Sequence, residues 1–425
     1  MLKRVEIAEL EMGMFVHKML GGWFDHPFWR SKFLIEEADK LQTLKQSALE
    51  AVIIDTAKGK DVAASAPEGR ARSGASGQGA AAQPAGRVST LKKRKSVSQP
   101  PPAPTTTAQE LQAAEGIASR AKESMHKTFL AARLGKALNV RTVEPVIRDI
   151  HTSIQRNPQA FSGLMRCKLQ NELVYRHALA VSALMVSLAR KMRLTEGEIH
   201  QAGIAGLFLD IGTNYLPKDA VPADGDCRNA DPKIWQQHVM LGYRALQNDD
   251  SLPEIVLNAS LQHHERIDGT GYPKGLAGEE IGQYARMAAI CDTFDFMLTE
   301  TEKEAALDPA AAIRKLQAME GAFDEDILRS FIESVGLYPV GSFVRLRSDR
   351  LAMVIDEDVK DSTKPIVQVF YSLASNQRIT PQRIALAESM EEDEIVDIAD
   401  LTGLDLPPDR QLRELIFLAA HKTDY

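Results

Sequence analysis

Cysteine is nearly absent: 425 residues hold only Cys167, Cys227 and Cys291. Their odd number and wide spacing exclude a disulfide framework and a cysteine-based zinc site. No apolar run approaches the roughly 18–20 residues that a membrane-spanning helix needs. The opening Met1-Leu2-Lys3-Arg4-Val5-Glu6 also lacks the apolar core of a secretory signal. Basic excess is missing too. The chain carries 51 Lys and Arg against 58 Asp and Glu, a net charge of −7, which argues against a nucleic-acid polymer as partner. A reduced, cytoplasmic protein without a membrane span is the expectation.

Core-forming residues are plentiful, with 44% hydrophobic and 26% charged residues, and the length suggests two or three domains. Residues 1–58 read as a small α+β module. Val5-Glu6-Ile7, Met14-Phe15-Val16 and Ala51–Asp55 are its short strands, with a helix from about Glu36 to Leu49. Residues 59–107 shift to Ala, Gly, Ser, Pro and Gln, include the basic cluster Lys92–Lys95, and read as a disordered linker. From Ala108 the period is helical almost throughout: connecting helices to 164, then a helical domain over 165–340. On its first long helix Leu179, Val181, Leu184, Met185, Leu188 and Met192 form an apolar stripe. The segment Ala108–Leu134 is the natural candidate for contact with a second copy. Residues 341–425 form a β-rich appendage and tail, with three strands at Phe343–Leu346, Ala352–Ile355 and Ile366–Phe370. The acidic run Glu391–Glu394 reads as solvated surface. The fold class is therefore mainly α, with a small module at each end.

Several potential metal ligands recur within the helical domain. His177 lies on its first long helix, Asp210 ends the apolar run Ile204–Leu209, and His238 opens a helix. His263 and His264 are adjacent, and Asp292 follows Ala288-Ala289-Ile290-Cys291. A lone helical histidine is usually a core or surface residue. This many imidazole and carboxylate donors in one domain instead suits iron, manganese or zinc rather than calcium. An aspartate at the end of an apolar helix is costly to bury unless it is paired or metal-bound.

The stretch His263-His264-Glu265-Arg266-Ile267-Asp268-Gly269-Thr270-Gly271-Tyr272-Pro273-Lys274-Gly275-Leu276 follows the pattern HHE-x-x-DG-x-GYP-x-GL at every fixed position. With Ala285-Arg286-Met287, Phe323-Asp324 and Tyr338-Pro339-Val340-Gly341, the region from about 165 to 345 resembles the HD-GYP family. The first 58 residues resemble the small module often found ahead of such domains, through Gly13–Val16, Trp23, His26–Trp29, Phe33–Ile35 and Ile54–Thr56. The resemblance implies an HD-type helical bundle and metal-dependent hydrolysis of cyclic di-GMP. It implies one or two divalent ions, iron or manganese, held by His177, Asp210, His238, His263, His264 and Asp292, with Asp210 also catalytic. Substrate contacts fall to Gly271, Tyr272, Pro273, Arg286 and Lys303, and diguanylate cyclase domains are implied partners of the GYP loop.

The chain departs from the family pattern at three places. Where the family has L-L-H-D-I-G-K, this sequence has Leu207-Phe208-Leu209-Asp210-Ile211-Gly212-Thr213, so Leu209 replaces a metal-binding histidine and Thr213 a lysine. Thr301 takes the position of a phosphate-contacting arginine, which Lys303 partly replaces. One metal position then keeps Asp210, His238, His263 and His264, while its neighbour has His177, Asp210 and Asp292 without a fourth ligand. Hydrolysis is expected to be weakened or lost, and the alternative is a receptor or adaptor without turnover.

Overall fold

The computed structural model describes residues 2–20, 33–35, 38–45, 51–60, 102–134, 140–168, 173–217, 229–301, 304–358, 361–389 and 393–422. They fall into two compact units, Met1–Pro101 and Pro102–Tyr425. Among the described residues no helix is long and apolar enough to cross a membrane. The basic cluster Lys92–Lys95, Trp23, His26–Trp29, Cys227 and Lys303 lie outside the described residues.

The first unit is an antiparallel sheet with one helix. Strands β1 (Leu2–Glu6), β2 (Phe15–Leu20), β3 (Phe33–Leu34) and β4 (Ala51–Asp55) take the order β1-β4-β2-β3, and α1 spans Ala38–Lys45. Val5 pairs with Val52 across β1 and β4. Val5, Val16, Val52 and Ile54 join Leu10, Met14, Ile35 and Leu44 in one buried cluster. Alternation along each strand sends these side chains to a single face.

The second unit is mainly helical. It comprises α2 (Thr107–Arg133), α3 (Glu144–Arg156), α4 (Ala160–Cys167), α5 (Leu173–Lys191), α6 (Glu196–Phe208), α7 (Pro232–Trp235), α8 (Gln237–Leu246), α9 (Glu254–Gln262), α10 (Gln283–Met297), α11 (Pro309–Ala318) and α12 (Glu325–Val335). Thr106 and Gln109 close a capping box at the start of α2, and Thr195 and Glu198 do the same for α6. Residues just ahead of α2, which the sequence assigns to the linker, are docked: Thr105 donates its amide to the Arg156 carbonyl at 3.1 Å, and its own carbonyl accepts from Asn157. In α5, Leu179, Val181, Leu184, Met185 and Leu188 are buried as the stripe predicts.

The C-terminal sheet is larger than the three strands legible in the sequence. β5 (Phe343–Leu346), β6 (Arg350–Asp356) and β7 (Ile366–Ser372) are joined by β8 (Gln377–Ala385) and β9 (Ile395–Ile398) in the order β8-β7-β6-β5-β9, followed by α13 (Asp409–Ala420). The acidic run is not wholly solvated. Asp393 is buried, accepting from Ser348 at 2.8 Å and Arg350 at 2.7 Å, and Glu394 pairs with Arg347. Within the run's described part, those cations explain how a carboxylate can leave solvent beside β9.

Candidate metal centre

Helix α6 is apolar nearly all round, with Ile199, Ala202, Ile204, Ala205, Leu207 and Phe208 buried. That pattern drives its C-terminal end into the core. Leu209 caps it and Asp210 follows, leading into a short 3-10 turn over Ile211–Tyr215. Gly212 lets this turn touch α8. A Cβ there would lie 1.9 Å from the His238 carbonyl oxygen and 2.5 Å from the Gly242 amide nitrogen. The close approach sets Asp210 opposite His238. His263 caps α9 and His264 follows it, while His177 projects from α5. Asp292 and Asp295 are one turn apart on α10, so both lie on one face.

These side chains converge. Asp210, His238, His263 and His264 each bring a ligand atom within 4.8 Å of the others, and so, separately, do His177, Asp210 and Asp292. His238 Nε2 lies 3.2 Å and His263 Nε2 3.6 Å from Asp210 Oδ1. On the other side, His177 Nε2 is 3.4 Å from Asp210 Oδ2 and 3.1 Å from Asp292 Oδ1. His264 Nδ1 is 4.0 Å from Asp292 Oδ2. Asp210 thus belongs to both groups, one oxygen toward each.

The chemistry of the donors fits a cation. His238 Nδ1 is 2.6 Å from the Trp235 carbonyl and His263 Nδ1 is 2.9 Å from the Ser260 carbonyl. A carbonyl can only accept, so each Nδ1 donates outward and each Nε2 is turned toward Asp210. Those two nitrogens are 3.3 Å apart and both face Asp210 Oδ1, which has no well-aligned hydrogen bond. Two imidazole nitrogens and a carboxylate oxygen therefore meet at one point, a place for a cation. His264 Nε2 is likewise buried without a partner. The C-terminal ends of α6 and α9 both point here, adding partial negative charge.

The electrostatics agree. Burial would raise the Asp210 carboxyl, but the facing His238 and His263 imidazoles hold it well below the usual carboxylate range. Burial works to lower His177, yet Asp292 and Asp295 carry it up to about 10. His264 goes the other way: burial and the neighbouring His263 and His238 keep it neutral and able to ligate. A cluster that gathers positive charge this strongly suits a divalent transition metal, and its mixed imidazole and carboxylate donors match iron, manganese or zinc.

The loop after α9 is fastened to this cluster. Tyr272 stacks on His264 with ring centroids 4.7 Å apart and planes 21° apart, and its amide donates to the His264 carbonyl at 3.1 Å. Glu265, buried, accepts from the amides of Lys274 at 2.7 Å and Leu276 at 3.0 Å. A Cβ on Gly271 would sit 2.4 Å from Glu265 Cα and 2.5 Å from both the Arg266 amide nitrogen and the His264 carbonyl oxygen. Only glycine lets the loop lie this close. Arg266 donates to the carbonyls of His263 and Glu265 and to Thr293 Oγ1, tying the strip to α10.

All six ligands expected from the sequence are brought together, and Tyr272 joins them. Arg286 is not: its guanidinium holds Asp324, the N-cap of α12, at 2.7 Å, and among the described residues no hydrogen bond or ion pair links it to the cluster. Leu209 is buried, and the Thr213 hydroxyl donates to the Asp210 carbonyl at 2.7 Å. Three participants were given no role by the sequence reading. Asp295 accepts from His177 Nδ1 at 2.8 Å, Trp235 supplies the carbonyl that orients His238, and Glu265 anchors the loop. Carboxylate and carbonyl partners of this kind fix a ligand's tautomer and raise its basicity. The three-residue spacing of Asp292 and Asp295 was the available signal for the first.

Comparison with known proteins bears on the family. Residues 2–143 match a family described as a domain of unknown function, and residues 158–327 match the HD domain family. A Pseudomonas aeruginosa protein named cyclic di-GMP phosphodiesterase PA4108 is 36% identical over 397 residues, covering 93% of this chain and 92% of that protein. The cyclic di-GMP phosphodiesterase response regulator RpfG of Xanthomonas campestris is 30% identical over 135 residues, 32% of this chain and 36% of that protein. Among solved structures, the HDGYP protein Bd1817 of Bdellovibrio bacteriovorus gives a TM-score of 0.42 at 18% identity, covering 78% of this chain and 99% of its own. Because the Pseudomonas likeness spans nearly the whole of both proteins, the chain belongs to the HD-GYP family of cyclic di-GMP phosphodiesterases.

Proposed function

We propose that this chain binds cyclic di-GMP at the Asp210 centre and hydrolyses it slowly, as an attenuated phosphodiesterase of the cytoplasm. The observation that carries the reading is the convergence of His238 Nε2, His263 Nε2 and Asp210 Oδ1 on one point. Asp210, His238, His263 and His264 would hold one divalent ion, iron or manganese, and His177, Asp210 and Asp292 a second. Such ions supply positive charge to a phosphoryl oxygen and acidity to a water. The chain's own groups prepare the place for that chemistry. Asp295 keeps the His177 ring turned with Nε2 inward, and the Trp235 and Ser260 carbonyls do the same for His238 and His263. Tyr272, stacked on His264, walls the ligand side. The relatives' names, which specify cyclic di-GMP, support the substrate.

Attenuation follows from what surrounds the second position. Leu209 cannot ligate, and Thr213 and Thr301 bring no charge to a phosphate. Loss of one such electrostatic donor costs about 10²–10³ in turnover in well-studied acyl-transfer sites.

A receptor without turnover is the second reading, and one observation favours it. The Thr213 hydroxyl is spent on the Asp210 carbonyl rather than offered to a ligand. In that case the exposed loop tip around Pro273 and Lys274 would present the signal to a diguanylate cyclase domain. Turnover separates the two. Anaerobically purified protein loaded with iron or manganese should open cyclic di-GMP, and Asp210→Ala should abolish the activity. Bound metal and nucleotide without turnover would establish the receptor.

A further inference from the structure

We propose that a groove between α8 and the GYP loop takes one nucleotide half of a cyclic dinucleotide whose other phosphodiester lies at the metal centre. The inference rests on the binding of cyclic di-GMP argued above and names where the ligand's second half goes.

The groove is open and offers about 420 Å³, lined by Met240, Leu241 and Tyr272 together with Lys233, Gln237 and Arg244. Small-molecule sites span roughly 300–1,000 Å³, so there is room for a nucleotide. Its position matters more than its size. Tyr272 lines the groove and also stacks on His264, and His238 stands on the same helix as Met240 and Leu241. The groove therefore begins one side chain away from a metal ligand. A half-buried Tyr, Met and Leu give a purine an apolar bed, and the Gln237 amide can meet a base edge with both donor and acceptor.

Charge points to a phosphate. A cyclic dinucleotide carries two phosphodiesters, and metal ions can neutralise only the one placed against them. The lysine and arginine that the family resemblance implies are Thr213 and Thr301 here. Three other cations of this domain are committed elsewhere: Arg266 to two carbonyls and Thr293, Arg286 to Asp324, and Arg176 to Thr299. Lys233 and Arg244, both exposed on the groove, pair with no acidic side chain among the described residues. They line the same groove as Met240 and Leu241, available to the second phosphate.

The test is calorimetric titration of the full, metal-loaded chain with cyclic di-GMP and, separately, with GMP. Lys233→Ala and Arg244→Ala should each weaken cyclic di-GMP about tenfold, the loss expected for one charge-assisted contact. Metal content and melting temperature should not move, since both residues are exposed, and affinity for GMP should hold. Unchanged cyclic di-GMP affinity in the double variant overturns the groove assignment while leaving the metal-centre reading in place. Equal weakening of GMP also overturns it, by putting the two cations at the metal-bound phosphate. Failure of the wild-type chain to bind cyclic di-GMP at all removes both readings.

Discussion

His238 and His263 face each other across 3.3 Å through their Nε2 atoms, each ring held by a backbone carbonyl at Nδ1. Two lone pairs at that distance repel unless a positive charge lies between or beside them. Asp210 Oδ1 closes the same triangle, so the arrangement is stable only with a proton or a metal ion at its centre. The fold invests in keeping this geometry. Two helices end there, Gly212 is pressed onto α8, and the following loop is stitched to the ligands by Glu265 and Arg266.

Asp295→Asn should separate the two metal positions. The amide keeps the size of the carboxylate but loses the charge that orients and polarises His177. Affinity at the His177 position should fall about 10- to 100-fold, with the ion held by His238, His263 and His264 retained. Metal titration of the apoprotein reads this directly, and two unaltered binding events would refute the role of Asp295.

Leu209→His combined with Thr213→Lys should restore what the family pattern has at these positions. Metal stoichiometry should rise, and hydrolysis of cyclic di-GMP should increase by at least about tenfold. No gain in either quantity would mean that Leu209 does not stand at the missing ligand's place.

Gly271→Ala places a methyl against backbone that cannot yield without moving the metal ligands. A stability loss of about 1–3 kcal/mol is expected from the overpacking, together with weaker metal binding as His264 shifts. Denaturant unfolding and metal titration measure the two effects. A variant as stable and as metal-avid as the wild type would show that the loop is not fastened to the cluster.

Glu357 gives a pH signature away from the centre. Burial pushes its carboxyl from 4.5 up to about 7, against the lowering influence of Gln159 and Arg166. The folded state therefore holds this proton more tightly than the unfolded chain does. Its contribution is complete below pH 4.5 and is lost as pH rises through about 7. Glu357→Gln should match the wild type near pH 4 and exceed its stability by about 1–3 kcal/mol at pH 8. Parallel stability profiles for the two proteins would contradict the assignment.

The ligand set was legible in the sequence because so many imidazole and carboxylate donors recur within one helical domain, and because the His263–Leu276 stretch is long. What surrounds the ligands was less legible. Asp295 looks like any helical aspartate until His177 is placed opposite it by α5, 118 residues away. The commitment of Arg286 to Asp324 depends on how α10 meets the start of α12, which no local pattern encodes. Strand β8 was invisible for a different reason. Gln377–Ala385 is polar and contains Pro381, as suits the edge of a sheet, where a missing amide donor is tolerated. The burial of Asp393 likewise depends on Ser348 and Arg350 arriving from an earlier hairpin.

The most direct test of the account is a count of bound metal in the wild-type chain and in the His263→Ala, His264→Ala double variant, both purified anaerobically with iron or manganese. The account predicts at least one ion per wild-type chain and little or none in the variant, with circular dichroism showing the helices intact. A wild-type chain free of metal under those conditions, or a variant that keeps its full complement, would contradict it.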